Sequence, residues 1–125
     1  MDQAEPAAIS LGVTVVALDG EFDLADQLRL ADAFEVAMRD PVVIVDLSRT
    51  AYMDSTALSE LVKLRNFVPK LVVTQPTGSV LRLFDVAHIA GLFEIRPSLE
   101  TALAEFDAGD DDIKRITLVG KETRP

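Results

Sequence analysis

The sequence contains no cysteine and only one histidine, His88, among its 125 residues. Without cysteine, the chain has no disulfide framework, no thiol nucleophile and no thiolate metal site. No apolar run approaches the roughly 20 residues that a membrane-spanning helix needs. The first ten residues, MDQAEPAAIS, lack the basic start and apolar stretch of a secretory signal, so we expect a cytoplasmic protein.

Basic residues are also scarce, because 12 lysines and arginines stand against 21 acids, a formal net charge of −9. This balance disfavours direct contact with nucleic acid or with an anionic membrane, since both require a basic surface. It favours a protein partner that carries a basic patch. Hydrophobic residues make up 49% of the chain, which is typical of a globular domain.

The apolar pattern alternates between strand and helix spacing. A β-branched run at 13–18 precedes a helical row of Leu24, Leu28, Ala31, Phe34 and Met38, for which Asp23 is the expected N-cap. Residues 42–47 have the continuous apolar character of a central strand. Further helices are predicted from near Ser55 to Pro69, over 80–87 and over 98–106, with strands at 70–74, at 92–95 and near Ile9. This alternation predicts an α/β sheet with parallel neighbouring strands.

The chain divides into one domain, residues 1–106, and an acidic C-terminal tail, residues 107–125. The tail reads DAGDDDIKRITLVGKETRP and has no amphipathic period, so we expect most of it to be flexible. An alternative is that residues 116–119 dock on the domain as an extra strand.

The stretch Met53-Asp54-Ser55-Thr56-Ala57 follows the central strand, at the end of the sheet where α/β proteins place their ligands. The simplest interpretation is that Asp54 or Ser55 caps the next helix and does nothing more. A hydrolase nucleophile at Ser55 would need a base within reach. His88 lies at the predicted end of the third helix, and the chain has no Gly-x-Ser-x-Gly elbow. A small hydrolase is therefore a hypothesis supported only by the position of Ser55.

Motifs for cofactors and metals are missing as well. No phosphate-binding glycine loop follows a strand. The acids Glu21, Asp23, Asp46 and Asp54 include pairs that suit Mg²⁺, yet acids at helix starts also follow from the helix dipole. We therefore predict no cofactor and no metal.

Four segments together resemble the STAS domain family, a module shared by anti-sigma factor antagonists and the cytoplasmic ends of sulphate transporters. They are GEFD (20–23), VVIVDLSRTAYMDSTAL (42–58), SVLRLFDVAHI (79–89) and FEIRPSLETAL (93–103). The resemblance runs from about residue 9 to residue 106. It implies a STAS-type mixed sheet of four to five strands with about four helices.

The resemblance also implies a site. In the bacterial antagonists, the serine directly after the aspartate is phosphorylated; this position maps onto Ser55, with Thr56 as the secondary candidate. The implied partner-binding residues are Glu21, Asp23, Asp54, Ser55, Thr56 and Ala57. Ala57 stands where the family has glycine. His88 replaces a glycine that ends the third helix in many relatives, which predicts a left-handed backbone there.

The function implied by the resemblance is partner switching. The unphosphorylated antagonist binds an anti-sigma factor that is also a serine kinase, and this binding frees a sigma factor. Phosphorylation of the serine separates the complex, and a PP2C-type phosphatase resets it. The antagonist is not an enzyme in this scheme. The alternative is a STAS scaffold subunit that binds partners in a transport or signalling assembly without being phosphorylated.

Overall fold

The computed structural model describes residues 12–122, which form a six-stranded sheet and four α-helices. The strands are β1 (Val13–Phe22), β2 (Val42–Asp46), β3 (Thr50–Met53), β4 (Lys70–Thr74), β5 (Glu94–Arg96) and β6 (Ile113–Val119). The helices are α1 (Gln27–Ala37), α2 (Ser55–Phe67), α3 (Gly78–Val86) and α4 (Leu99–Ala104). The strand predicted near Ile9 lies outside the described residues.

The strands follow the order β3-β1-β2-β4-β5, and β6 also pairs with β1. Every strand pairing between residues 12 and 122 is parallel. The predicted α/β class and the four helices are confirmed, while the sheet has six strands rather than four to five. Because β1 is 10 residues long, its first half pairs with β2 and its last three residues pair with β3.

Hydrophobic residues fill both faces of the sheet, as expected for central strands that read as continuous apolar runs. On one face, α1, α2 and α3 cover the larger part of the core, which includes Phe22, Phe34 and Phe84. On the other face, α4 packs through Ala102 against the β-branched side chains of β1, β2 and β4. No helix within residues 12–122 reaches the length and apolar character that crossing a bilayer demands.

The C-terminal region differs from the prediction. Residues 113–119 are not a flexible tail but strand β6, which pairs with β1 from Val13↔Ile113 to Asp19↔Val119. Its apolar side chains contact both faces of the sheet, because Ile116 and Leu118 pack against the larger core while Ile113 packs against the smaller one. The alternative of a docked strand is therefore correct, and the strand begins three residues earlier than expected.

The end of α3 confirms the prediction for His88. Its φ is 59°, in the left-handed region. The His88 N–H donates to the Asp85 carbonyl, and the Ile89 N–H donates to the Phe84 carbonyl, at 3.1 and 3.0 Å. This is the Schellman pattern of helix termination. The exposed His88 thus ends a helix, and no hydrogen bond joins it to Ser55 within residues 12–122.

Candidate functional site

The start of α2 shows which residue caps the helix. Asp54 has an extended backbone, and its Oδ1 accepts a hydrogen bond from the Ala57 N–H at 3.0 Å. This is the geometry of an N-cap, in which the side chain satisfies one of the open donors of the first turn. Ser55 is the first helical residue and takes no part in the cap. The capping interpretation therefore applies to Asp54, and it leaves the role of Ser55 open.

Asp54 also ties the start of α2 to the turn after β1. Its second carboxylate oxygen, Oδ2, accepts from the Leu24 N–H at 3.1 Å. Its own N–H donates to the Phe22 carbonyl at 3.1 Å. These two hydrogen bonds, one from the side chain and one from the backbone of Asp54, hold the two segments together and fix the position of Ser55 relative to Glu21 and Asp23.

Ser55 is exposed, and its hydroxyl has no hydrogen-bond partner among the described residues. Thr56 is half-buried. Ala57 is 1% exposed and packs in the main core. The implied partner-binding role of Ala57 is therefore wrong for its side chain, because a buried methyl group does not reach a docking surface. Of the two hydroxyl groups, the one on Ser55 is more accessible.

Asp23 is confirmed as an N-cap, although the element that it begins is a short 3-10 turn, Leu24–Asp26, which leads into α1. Asp23 Oδ1 accepts from the Ala25 N–H at 2.9 Å, and Asp26 Oδ2 accepts from the Asp23 N–H at 3.0 Å. This reciprocal pair is a capping box. Asp26 is only 5% exposed, so it serves the fold rather than a surface.

A lysine from the C-terminal segment binds both acids of the capping box at 23–26. Lys121 Nζ lies 2.7 Å from Asp23 Oδ1 and 3.2 Å from Asp26 Oδ2. The hydrogen bond from Lys121 holds the pKa of Asp23 below its ordinary value of 3.8. The same bond raises the pKa of Lys121 above 10.5. Asp23 and Lys121 are 98 residues apart, and no local pattern in the sequence signals their contact.

Glu21 meets the C-terminal segment through its backbone. Its N–H donates to the Lys121 carbonyl, and its carbonyl accepts from the Lys121 N–H, both at 2.9 Å. Glu21 is half-buried. The structure thus brings the sequence-predicted Glu21, Asp23, Asp54 and Ser55 to one end of the molecule.

Ser55 also borders a shallow groove of about 520 Å³ between β3 and α3. Its lining includes Tyr52, Ser55, Ser79, Arg82, Leu83 and Val86. Two hydroxyl groups hold α3 in place: Thr77 Oγ1 donates to the Thr50 carbonyl and Ser79 Oγ donates to the Ala51 carbonyl, each at 2.8 Å. Positions 79, 82, 83 and 86 share one face of a helix, so this anchoring sets the side of α3 that faces the groove.

Exposed apolar side chains surround Ser55. Tyr52 and Val86 in the groove are 49% and 76% exposed, and Leu24, whose N–H binds Asp54, is 65% exposed. Arg82 is the base in the lining of the groove, and within residues 12–122 its guanidinium forms no ion pair. An exposed apolar patch that contains an arginine is characteristic of protein interfaces. Apart from Asp54 and Ser55, the groove residues are not apparent in the sequence, because they lie on β3 and α3, which are separated along the chain.

The acid at the end of β2 has a structural role. Asp46 accepts hydrogen bonds from Ser48 Oγ at 3.1 Å and from Thr74 Oγ1 at 2.9 Å. Among residues 12–122, no three histidines or acids are grouped as metal ligands.

Comparison with known proteins identifies the class of domain that this fold and site define. The family model for the STAS domain matches residues 6–102, more than half of the chain. The chain belongs to the STAS domain family. A search of curated proteins finds no match.

Three solved structures have similar folds. An anti-sigma factor antagonist from Mycobacterium paratuberculosis is 23% identical, with a TM-score of 0.70 over 76% of this chain and 86% of that one. A sulfate transporter family protein from Wolinella succinogenes is 17% identical, with a TM-score of 0.65 over 76% and 84%. The Bacillus cell-fate determinant SpoIIAA in its phosphorylated form is 17% identical, with a TM-score of 0.58 over 74% and 89%. At these identities the likeness shows a shared fold.

Proposed function

We propose that this protein is an anti-sigma factor antagonist that acts by partner switching. The unphosphorylated form binds a cytoplasmic anti-sigma factor that is also a serine kinase, and phosphorylation of Ser55 releases it. The observation that carries this proposal is the exposed Ser55 hydroxyl at the first position of α2, which has no hydrogen-bond partner within residues 12–122 and lies beside an apolar groove. The chain serves as substrate and ligand in this scheme and performs no catalysis itself.

Phosphorylation would change charge without disturbing the fold. The Ser55 hydroxyl oxygen attacks the γ-phosphorus of ATP on the kinase, its proton passes to a kinase base, and ADP leaves. The product carries about −1.5 to −2 charges at the first turn of a helix. The helix dipole favours a negative group there by roughly 0.3–1 kcal/mol at an exposed site. Since the hydroxyl forms no internal hydrogen bond within residues 12–122, no native contact is lost.

The cost of phosphorylation falls on the docked complex. In the complex, the partner surface that contacts the Ser55 hydroxyl would have to accommodate a phosphate dianion. Removing water from this dianion is unfavourable unless a cation of the partner binds it. Asp54 lies next to the phosphate and adds repulsion between like charges. A loss of about 3 kcal/mol weakens binding more than a hundredfold. That change is sufficient for a switch, and a PP2C-type phosphatase reverses it by hydrolysis.

The test is phosphorylation by candidate kinases from the host, with ATP, followed by mass spectrometry to locate the phosphate. We expect one phosphate on Ser55, none in Ser55→Ala, and normal modification in the matched variant Thr56→Ala. Phosphate on Thr56 alone, or on neither residue with any kinase that binds the protein, would contradict the proposal.

A second candidate is a STAS scaffold subunit of a transport or signalling assembly that is not phosphorylated. It is favoured by the fold similarity to a sulfate transporter family protein. The two candidates differ in one observable. A scaffold would bind its partner equally well with serine or phosphoserine at position 55, whereas an antagonist would not.

A further inference from the structure

The C-terminal segment approaches the turn after β1 unusually closely. Gly20 has a φ of 112°, and a Cβ placed on it would lie 2.5 Å from the Lys121 carbonyl oxygen. A Cβ on Gly120 would overlap the Glu21 carbonyl oxygen. Two backbones in direct contact thus require glycine on both sides. This explains the glycine of the GEFD motif by the contact that it makes with residues 120–121.

Side chains reinforce the contact. Lys121 Nζ binds both Asp23 and Asp26, at 2.7 and 3.2 Å. Arg29 contacts Asp26 Oδ1 at 3.1 Å and donates from its second terminal nitrogen to the Val119 carbonyl at 2.6 Å. Two cations and two acids therefore join residues 119–121 to the turn at 23–26.

This turn is connected to the start of α2. Leu24 lies between the two acids that Lys121 holds, and its N–H donates to Asp54 Oδ2 at 3.1 Å. Asp54 in turn caps the helix that begins with Ser55. A continuous path of hydrogen bonds and one ion-pair cluster runs from Lys121 to the residue before Ser55. Of the predicted partner-binding acids before α1, Asp23 lies on this path, and Glu21 pairs with Lys121 through its backbone.

We infer that Lys121 is a positioning residue for the docking surface around Ser55. Through Lys121, the C-terminal segment holds the turn at 23–26 in the position that partner binding requires. The family match ends at residue 102, so β6 and Lys121 lie beyond the matched region. The role of the surface in partner binding rests on the proposed function. The positioning of the turn by Lys121 does not depend on the proposed function, and it is measured separately by the pKa of Asp23 and the amide exchange of Leu24.

The experiment compares Lys121→Gln with the wild-type chain, with Lys121→Arg as the conservative variant and Lys114→Gln as the control. Lys114 lies on β6, at the other end of the C-terminal segment, and pairs with Asp40 at 3.4 Å, away from the turn. NMR measures the carboxyl pKa of Asp23 and the amide exchange rate of Leu24. Isothermal titration then measures the affinity of the anti-sigma partner.

In Lys121→Gln we expect the Asp23 pKa to rise towards its ordinary value and Leu24 exchange to accelerate about fivefold, because local opening becomes easier. Partner affinity falls by about fivefold. Lys121→Arg and Lys114→Gln behave as wild type. Unchanged exchange at Leu24 in Lys121→Gln would overturn the positioning role. Faster exchange with unchanged affinity would overturn the link to docking. If the wild-type chain binds no anti-sigma factor, the proposed function fails while the NMR result still decides the positioning role.

Discussion

Replacing Asp54 and Ser55 separately distinguishes the structural role of one from the switching role of the other. Asp54→Ala removes two acceptors, one for the Ala57 amide and one for the Leu24 amide. Loss of an N-cap costs about 1 kcal/mol. Loss of a hydrogen bond to a charged group costs about another 1–1.5 kcal/mol. We therefore expect Asp54→Ala to be destabilised by roughly 2 kcal/mol.

The free energy of unfolding of Ser55→Ala should differ from that of wild type by no more than about 0.5 kcal/mol, because the altered side chain is exposed and its hydroxyl has no partner in the described part of the chain. Asp54→Asn keeps one acceptor oxygen and should lose about half as much stability as Asp54→Ala. Urea denaturation measures the free energy of unfolding of all three variants. In thermal denaturation, the melting temperature of Asp54→Ala should fall by roughly 8 °C. The reasoning is refuted if Asp54→Ala is as stable as wild type, or if Ser55→Ala loses as much stability as Asp54→Ala.

Three further predictions follow. Gly20→Ala should destabilise the protein by at least about 1 kcal/mol in urea denaturation, because alanine resists a positive φ; equal stability would contradict the close approach. The lowered pKa of Asp23 contributes stability that is present above pH 3.8 and is lost as the pH falls through the folded-state pKa. The raised pKa of Lys121 contributes stability that is present below pH 10.5 and is lost as the pH rises through the folded-state pKa. Denaturation midpoints of Lys121→Gln should therefore depend less on pH in both windows than those of wild type, and identical profiles would count against the ion pair. Arg82→Glu should weaken partner binding at least fivefold with unchanged stability, and unchanged affinity would exclude the groove beside Ser55 from the interface.

The sequence alone predicts the class of fold well, because its signals are local. The apolar runs at β2 and β4, the caps at Asp23 and Asp54 and the left-handed His88 are each encoded within a few neighbouring residues. The turn after β2 was harder to predict. It contains β3, a strand of four residues whose partner on β1 lies some thirty residues earlier in the chain.

The first helix shows where periodicity misleads. Leu24 and Leu28 fit a helical row in the sequence, yet they are 65% and 79% exposed. The buried row is Leu30, Ala33, Phe34 and Ala37. Leu24 precedes α1 in the 3-10 turn Leu24–Asp26. Leu28 lies inside α1 on the side opposite the buried row, because successive helical residues are turned by about 100°. Leu24, which is exposed and bound through its N–H to Asp54, is therefore available to the candidate docking surface.

The sequence does not predict the long-range ion pairs or the close backbone contacts at Gly20 and Gly120. The acidic stretch at 110–112 and the consecutive charges Lys114 and Arg115 obscured β6 in the sequence, and nothing near Lys121 signals its contact with Asp23. The groove residues Tyr52 and Arg82 lie on different elements. Only the folded chain places them beside Ser55.

The most direct test of the account compares one partner with two forms of the intact chain, carrying serine or genetically encoded phosphoserine at position 55. Isothermal titration with the anti-sigma factor gives the two affinities, and amide NMR spectra report whether the fold is the same. We predict at least tenfold weaker binding of the phosphoserine form, with spectral changes confined to residues near the start of α2. Equal affinity of the two forms, or unfolding of the phosphoserine form, would contradict the account.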